Sequence, residues 1–450
     1  SYCDGVTHRL KGSSMVRLLA VLIAVFWASA GAAVTLLRDA AMERGLSELA
    51  RPILNAAGLS SAQVRVLVVD DESLNAFVID GRAIFVHSGL LMRLTRAEQL
   101  QAVLAHEAAH IANGHISRRL SNMRAAARAS AFGILLGLGA AAAGAEAGAA
   151  AGIAAGSASA AQRTFLGHTR AEEASADQSS IRYLLRAGID TRGALEVIDL
   201  FRGQEALSAS RQDPYTRTHP LTTERYRALE ALVPANSANP PENGTADYWF
   251  ARAQGVLSAF KRAPSWTLRR ATGNTDISQM RRAIAYHRQA STNDAVREVS
   301  ALVAARPNDP YFRDLQGQIL LESRQTSAAV QAYARAVQLA PNDPLILGSY
   351  GRALLAQDTA ASNRQALDVL IRARSRDGRD ARILRDLGLA YARAGQNGMA
   401  ALSGAERLAL VGRIDAASTL ARRAAGLLPQ GSAGWQRAQD ILRTAEQLSR

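Results

Sequence analysis

The sequence predicts a mainly α protein in two parts. An N-terminal α+β part holds a small sheet, and an all-α solenoid of stacked helix pairs follows. Three observations predict this. Strand-like runs fall only between about Val64 and Val86. Apolar residues in the rest of the chain recur mostly at helical spacing. The tetrapeptide Pro307-Asn308-Asp309-Pro310 returns as Pro341-Asn342-Asp343-Pro344, an offset of 34 residues, which is the length of a two-helix repeat. At 450 residues the chain exceeds one typical core, so two or three domains are expected.

From the N-terminus, residues 1–14 read as an upstream extension. Residues 15–32 read as a secretory signal: Met15-Val16-Arg17, an apolar run from Leu18 to Trp27, then Ala28-Ser29-Ala30 as a small-residue cleavage site. An uncleaved anchor is the alternative. The one cysteine, Cys3, precedes this segment, so a mature chain has no disulfide framework and no thiolate metal ligand.

Residues 33–232 are expected to form the first domain. Within it, Ile84-Phe85-Val86 forms one arm of a hairpin turned at Asp80-Gly81. Thr95-Arg96-Ala97-Glu98 reads as a capping box, with Thr95 as the cap. Leu100, Val103, Leu104 and Ala108 continue that helix, and Asn113-Gly114 ends it. On the helix lies His106-Glu107-Ala108-Ala109-His110. Histidines four apart share a face and can bind one Zn²⁺, and the glutamate can take a proton from water. The pattern implies a metal-dependent hydrolase. A catalytic zinc needs a third protein ligand. His115 does not match the long three-histidine motif, because Asn113 and Ile116 stand where that motif needs Gly and His. Glu173 and Asp177 share the face of a helix that stops at Gly188. One can bind the metal while the other orients a histidine, or both are solvated.

The stretch from His106 to His110, followed by Glu173-Ala174-Ser175-Ala176-Asp177, resembles the gluzincin peptidases of the HtpX, Oma and BepA-like group. Arg170, three residues before Glu173, is similar too. So are Asn75-Ala76-Phe77 with the hairpin after it, Gly89-Leu90-Leu91, and Thr218-His219-Pro220 with Arg225. The resemblance covers about residues 60 to 230. Asp80-Gly81-Arg82 stands where the family often has Pro-Gly-Gly. The resemblance implies a zincin-type fold with one Zn²⁺ per chain held by His106, His110 and Glu173. It implies Glu107 as general base and Asp177 as a supporting carboxylate. His219 is implied as an oxyanion donor, as an occupant of the metal's open position in a latent state, or as a loop anchor. Asn75, Ala76 and Phe77 would offer a strand edge to an extended substrate. Arg225 supports the His219 loop or is a solvated helix residue, the latter being favoured.

Residues 125–161 are rich in Ala and Gly, interrupted by Glu146. They are expected to form a mobile hairpin near the site that acts as a lid or touches a membrane. Two membrane spans, or a low-complexity linker, are the alternatives. Residues 233–245 read as a linker. Residues 246–450 resemble tetratricopeptide repeats. Gly317 and Gly351 keep the 34-residue offset, and a further unit starts near Asp380 after an expected loop insertion at about Thr359 to Arg364. Helix pairs are expected at about 277–305 and 399–428. Such repeats leave a concave face suited to peptides or proteins.

The net charge is +14, and of 53 basic residues only Lys11 and Lys261 are lysine. The arginines are dispersed and no nucleic-acid fold motif is present, so no nucleic-acid partner is expected. A solvated basic surface or peripheral contact with anionic lipid fits better. The combination of peptidase and repeats resembles periplasmic proteases of the BepA type. It implies a periplasmic enzyme acting on outer-membrane proteins, with the β-barrel assembly machinery as a partner of the repeats. A repeat-based assembly factor with a latent site, and an integral-membrane protease, are the other readings.

Overall fold

The computed structural model describes residues 35–78, 81–118, 169–207, 211–233 and 244–449. The expected signal segment, the 125–161 hairpin, Asp80 of the turn and most of the 233–245 linker lie outside the described residues.

Four strands form one mixed sheet: β1 (Leu36–Leu37), β2 (Arg65–Val69), β3 (Ala76–Val78) and β4 (Ala83–His87), in the order β1-β2-β4-β3. β2 runs parallel to β4, whereas β3 pairs antiparallel with β4, with Phe77 opposite Phe85. Gly81 takes φ +73 in the β3–β4 turn, a conformation that glycine adopts without Cβ strain. Leu36–Leu37 falls before the expected start of the sheet. Two residues carry too little periodicity to announce a strand.

The helices of this part are α1 (Ala40–Ala56), α2 (Ser88–Arg93), α3 (Ala97–Ala112), α4 (Arg170–Arg186), α5 (Arg192–Leu200), α6 (Pro214–Thr218) and α7 (Thr223–Leu232), of which α1 packs on β2 and α3 on β3 and β4. α3 is the central rod, and every residue from Ala97 to His110 is buried. Its cap differs from the expectation. Arg96, not Thr95, is the N-cap, and the Gln99 Oε1 accepts from the N–H groups of Thr95 (2.8 Å) and Arg96 (3.3 Å). Glu98 instead pairs with Arg96 at 3.4 Å. The helix starts one residue later than the sequence suggests, so glutamine fills the N3 position. α5 approaches the start of α3 closely at Gly193, where a Cβ would sit 2.4 Å from the Glu98 carbonyl oxygen.

The rest of the chain is α8 (Gly244–Lys261), α9 (Pro264–Arg270) and ten helices in five antiparallel pairs: α10 (Asp276–Arg288) with α11 (Thr292–Ala305), α12 (Pro310–Glu322) with α13 (Thr326–Leu339), α14 (Pro344–Gln357) with α15 (Ala360–Arg376), α16 (Ala381–Arg393) with α17 (Asn397–Leu410), and α18 (Ile414–Leu427) with α19 (Ala433–Ser449). The repeated aspartates are N-caps. Asp309 accepts from Tyr311 and Phe312 N–H (2.9 and 3.0 Å), and Asp343 from Leu345 and Ile346 (2.9 and 3.1 Å). Asp380 accepts from Arg382 and Ile383 (2.8 and 3.1 Å). Each cap contributes about 1 kcal/mol. The two repeat glycines let neighbouring helices touch: a Cβ at Gly351 would lie 2.5 Å from Leu370.

One repeat expectation is corrected. The extra residues before Asp380 are not a loop. They lengthen α15, which has 17 residues where α13 has 14. Thr359 caps it by accepting from the Ser362 N–H at 3.0 Å. Polar Ser362 and Asn363 resemble loop residues in sequence, yet in the first turn of a helix they serve as well. At about 399–428 the expected helices are present as α17 and α18, which pack against each other, while α17 also packs on α16 and α18 on α19.

One hydrophobic core runs from Met42 in α1 through α3 and α4 into Phe250, Ile284, Leu302 and Phe312. α8 lies on α1, and the Gln254 Nε2 donates to the carbonyls of Leu91 (3.0 Å) and Leu94 (2.7 Å). Buried Arg252 pairs with Asp309 through both nitrogens at 2.6 and 2.8 Å. Arg38, just after β1, meets Asp377 at 2.8 Å and Asp380 at 3.4 Å. Among the described residues no helix is long and apolar enough to cross a membrane.

Candidate metal centre

α3 and α4 lie side by side, so the His106–His110 face meets the Glu173–Asp177 face. His106 and His110 Nε2 atoms are 3.0 Å apart, and Glu173 lies 3.3 Å from each. α6 ends at His219, whose Nδ1 is 3.0 Å from Glu173 Oε1 and 3.3 Å from His106 Nε2. One ligand atom from each of His106, His110, Glu173 and His219 falls within 4.8 Å of the others, and all four residues are buried.

The far nitrogens are occupied in a way that turns lone pairs inward. His106 Nδ1 faces Asp177 Oδ1 at 3.1 Å, so with its proton held there Nε2 is the nitrogen that a metal would take once the second ring proton leaves. His110 Nδ1 faces His115 Nδ1 at 2.9 Å. His219 Nε2 faces the Ala76 carbonyl and Glu107 Oε1, both at 3.3 Å. Three imidazole lone pairs and a carboxylate therefore converge. Tetrahedral ligands about 2.0–2.2 Å from one zinc ion stand about 3.3–3.5 Å apart, close to the 3.0–3.3 Å found here. The donor set fits a divalent transition metal that accepts N and O ligands.

Electrostatics follow from burial and partners. Burial alone would lower His106, but Asp177 and Glu173 outweigh it and hold its pKa at about 9. His110 is pushed well below its usual value, by burial and by the neighbouring imidazoles, against the pull of Glu173. Burial opposes ionisation of Glu173, yet His219 and Arg225 hold it well below the usual carboxylate range. Asp177 is likewise lowered against burial by Arg225 and His106. The Glu107 carboxylate is fully buried beside His219.

Every sequence-nominated site residue lies in or beside this cluster. Asn75 and Ala76 are buried, and the Ala76 carbonyl reaches His219. Phe77, in the edge strand β3, stacks on Phe85 at 5.2 Å. Three neighbours take places that the sequence reading left open or did not name. Arg225, favoured there as a solvated residue, is buried. Its Nε and Nη2 donate to Asp177 at 2.6 and 2.8 Å, and its Nη1 lies 2.6 Å from Glu173. The cap at Thr222, which accepts from the Arg225 N–H at 3.1 Å, starts α7 so that this side chain faces inward. His115 holds the far side of His110. Tyr215, a helical turn before His219, sets its ring at a tilt of 32° with its centroid 4.7 Å from that imidazole and is buried. The resemblance offered Arg225 as a support of the His219 loop, whereas nothing in the sequence pointed to Tyr215 or to the place of His115.

Comparison with known proteins agrees with this geometry. Peptidase family M48 matches residues 37–233. The Beta-barrel assembly-enhancing protease of Escherichia coli (strain K12) is 24% identical over 303 residues, 66% of this chain and 61% of that protein. The chain thus spans about 61% of that relative's length. The mitochondrial metalloendopeptidase OMA1 of Schizosaccharomyces pombe is 27% identical over 192 residues, covering 42% of this chain and 52% of that protein. A solved structure titled "MamA RS-1 ArsTM double mutant" aligns with 36% of this chain and 92% of its own at 19% identity and TM-score 0.31, too weak a likeness to bear on the fold.

Proposed function

Starting from residues 37–233 as a peptidase family M48 domain, we propose that the chain is a zinc metalloendopeptidase. The observation that carries this reading is the inward convergence of His106, His110 and Glu173 around one point, with the Glu107 carboxylate beside it. These three residues would hold the metal. A zinc ion there supplies Lewis acidity toward a peptide carbonyl and lowers the pKa of water. Glu107 takes a proton from the attacking water and delivers it to the departing amine. Asp177 fixes the His106 ring, and Arg225 fixes Asp177 and Glu173. His219 either donates to the developing oxyanion or fills the fourth ligand position in a resting state. An extended substrate adds to the outer edge of β3 beside Ala76 and Phe77, where the Ala76 carbonyl now faces His219.

The finer role follows from the resemblance stated above. The chain acts in the periplasm on misassembled outer-membrane proteins, with residues 246–450 recruiting clients or the assembly machinery. The test is direct. Purified full chain is assayed for metal content and casein cleavage, before and after chelation, beside Glu107→Gln. One zinc per chain, loss of cleavage on chelation, recovery with zinc, and an inactive but metal-loaded Glu107→Gln are expected. Cleavage that survives complete metal removal would overturn the reading.

A further inference from the structure

We propose that the face of α9 and α10 around Trp266 docks on anionic phospholipid headgroups. Three guanidinium groups surround this indole: Arg270 at 4.4 Å from the ring centroid, Arg262 at 5.7 Å and Arg281 at 5.9 Å. The ring attracts each cation but carries no net charge to offset them. Nearby arginines divide into two groups. Arg282 is taken up by the carbonyls of Ala271 (2.9 Å) and Gly273 (2.7 Å) and by Glu298 (2.9 Å). Arg288 donates to the carbonyls of Ala259 and Arg262. The side chains of Arg262, Arg269, Arg270 and Arg281 make no ion pair or hydrogen bond among the described residues. The nearest acidic side chain on α10, Asp276, is engaged by Tyr248 (3.0 Å) and Arg306 (2.8 Å).

Arg281 is the sharpest of these. Its stem lies against Gly255 of α8, and its Nε is buried with no hydrogen-bond partner. Burial, with Arg270 beside it, disfavours its charge. A half-buried guanidinium facing other cations is destabilised, and an arriving anion relieves that cost. Phosphate fits because it takes several charge-assisted bonds from guanidinium forks at once. Trp266 adds an amphipathic ring of the kind that settles at the headgroup level of a bilayer. A net charge of +14 draws the chain toward such a surface. The proposal is independent of the peptidase reading.

The test uses full-length protein with phosphatidylcholine vesicles and with mixed phosphatidylcholine–phosphatidylglycerol vesicles, in a flotation assay across a salt series. Wild type is expected to float with the anionic vesicles only, and less so as salt rises. Removing one interfacial arginine costs about fivefold in partition. Arg270→Gln/Arg281→Gln is therefore expected to lose on the order of twentyfold. Arg269→Gln/Arg270→Gln, both at exposed positions, controls for any folding effect at Arg281 and is expected to fall similarly. Vesicles should shift wild-type tryptophan emission to the blue, and Trp266→Phe should lose that shift. Equal flotation of the arginine variants and wild type would overturn the proposal. So would an unchanged spectral shift in Trp266→Phe, or wild-type binding to polyglutamate but not to the anionic vesicles.

Discussion

Arg225 holds Asp177 with two hydrogen bonds at 2.6 and 2.8 Å across 48 residues of sequence. The same guanidinium meets Glu173 at 2.6 Å. It therefore shares its one positive charge between two buried carboxylates that stand one helical turn apart, and it ties the His219 loop to α4. Arg225→Met should leave that pair uncompensated, at a cost of about 3–5 kcal/mol. Thermal melting with and without zinc reads this directly. Arg225→Lys should restore little, because an ammonium cannot form the fork.

Asp177→Asn keeps the shape but weakens the acceptor behind His106. The expected result is a loss of metal affinity of about 10–100-fold, measured by chelator competition. Glu107→Gln should behave oppositely. Metal affinity stays near wild type, while turnover falls by about 10²–10⁴.

The metal-free protein should lose stability as pH rises. His106 has a folded pKa of about 9 against an ordinary 6.5. Its raised pKa stabilises the fold fully below 6.5, and that contribution is lost as pH climbs through about 9. His110, depressed well below its usual value, is neutral throughout this window. A bound metal excludes the His106 proton, so this part of the melting-temperature slope should vanish in zinc-loaded protein. Metal affinity should accordingly rise with pH over the same range. A flat chelator-treated melting profile between pH 7 and 9 would contradict the assignment.

Asp309→Ala removes both a helix cap and the partner of buried Arg252. The expected destabilisation is about 3–5 kcal/mol. The core is continuous from α1 to α12, so unfolding should keep one transition through this region. Calorimetry distinguishes one shifted peak from two.

Local chemistry made much of this protein legible. The 34-residue recurrence put aspartate at each helix start, because that residue's carboxylate satisfies free N–H groups wherever the motif occurs. The four-residue spacings put His106 with His110 and Glu173 with Asp177, because helical geometry alone aligns them. The N-cap of α3 falls one residue later than Thr95 suggests, and Arg96 there meets Glu196 of α5 at 2.6 Å, a partner far away in sequence.

The sequence by itself determined the helix faces, the repeat period and the residue types able to bind a metal, all of which depend on neighbours within a few residues. The tertiary structure alone decided that His115 backs His110, that Arg225 is buried between two carboxylates, and that the repeats share a core with the sheet domain. Those facts depend on which elements lie against one another, and burial reverses the preference of a charged side chain from water to a partner.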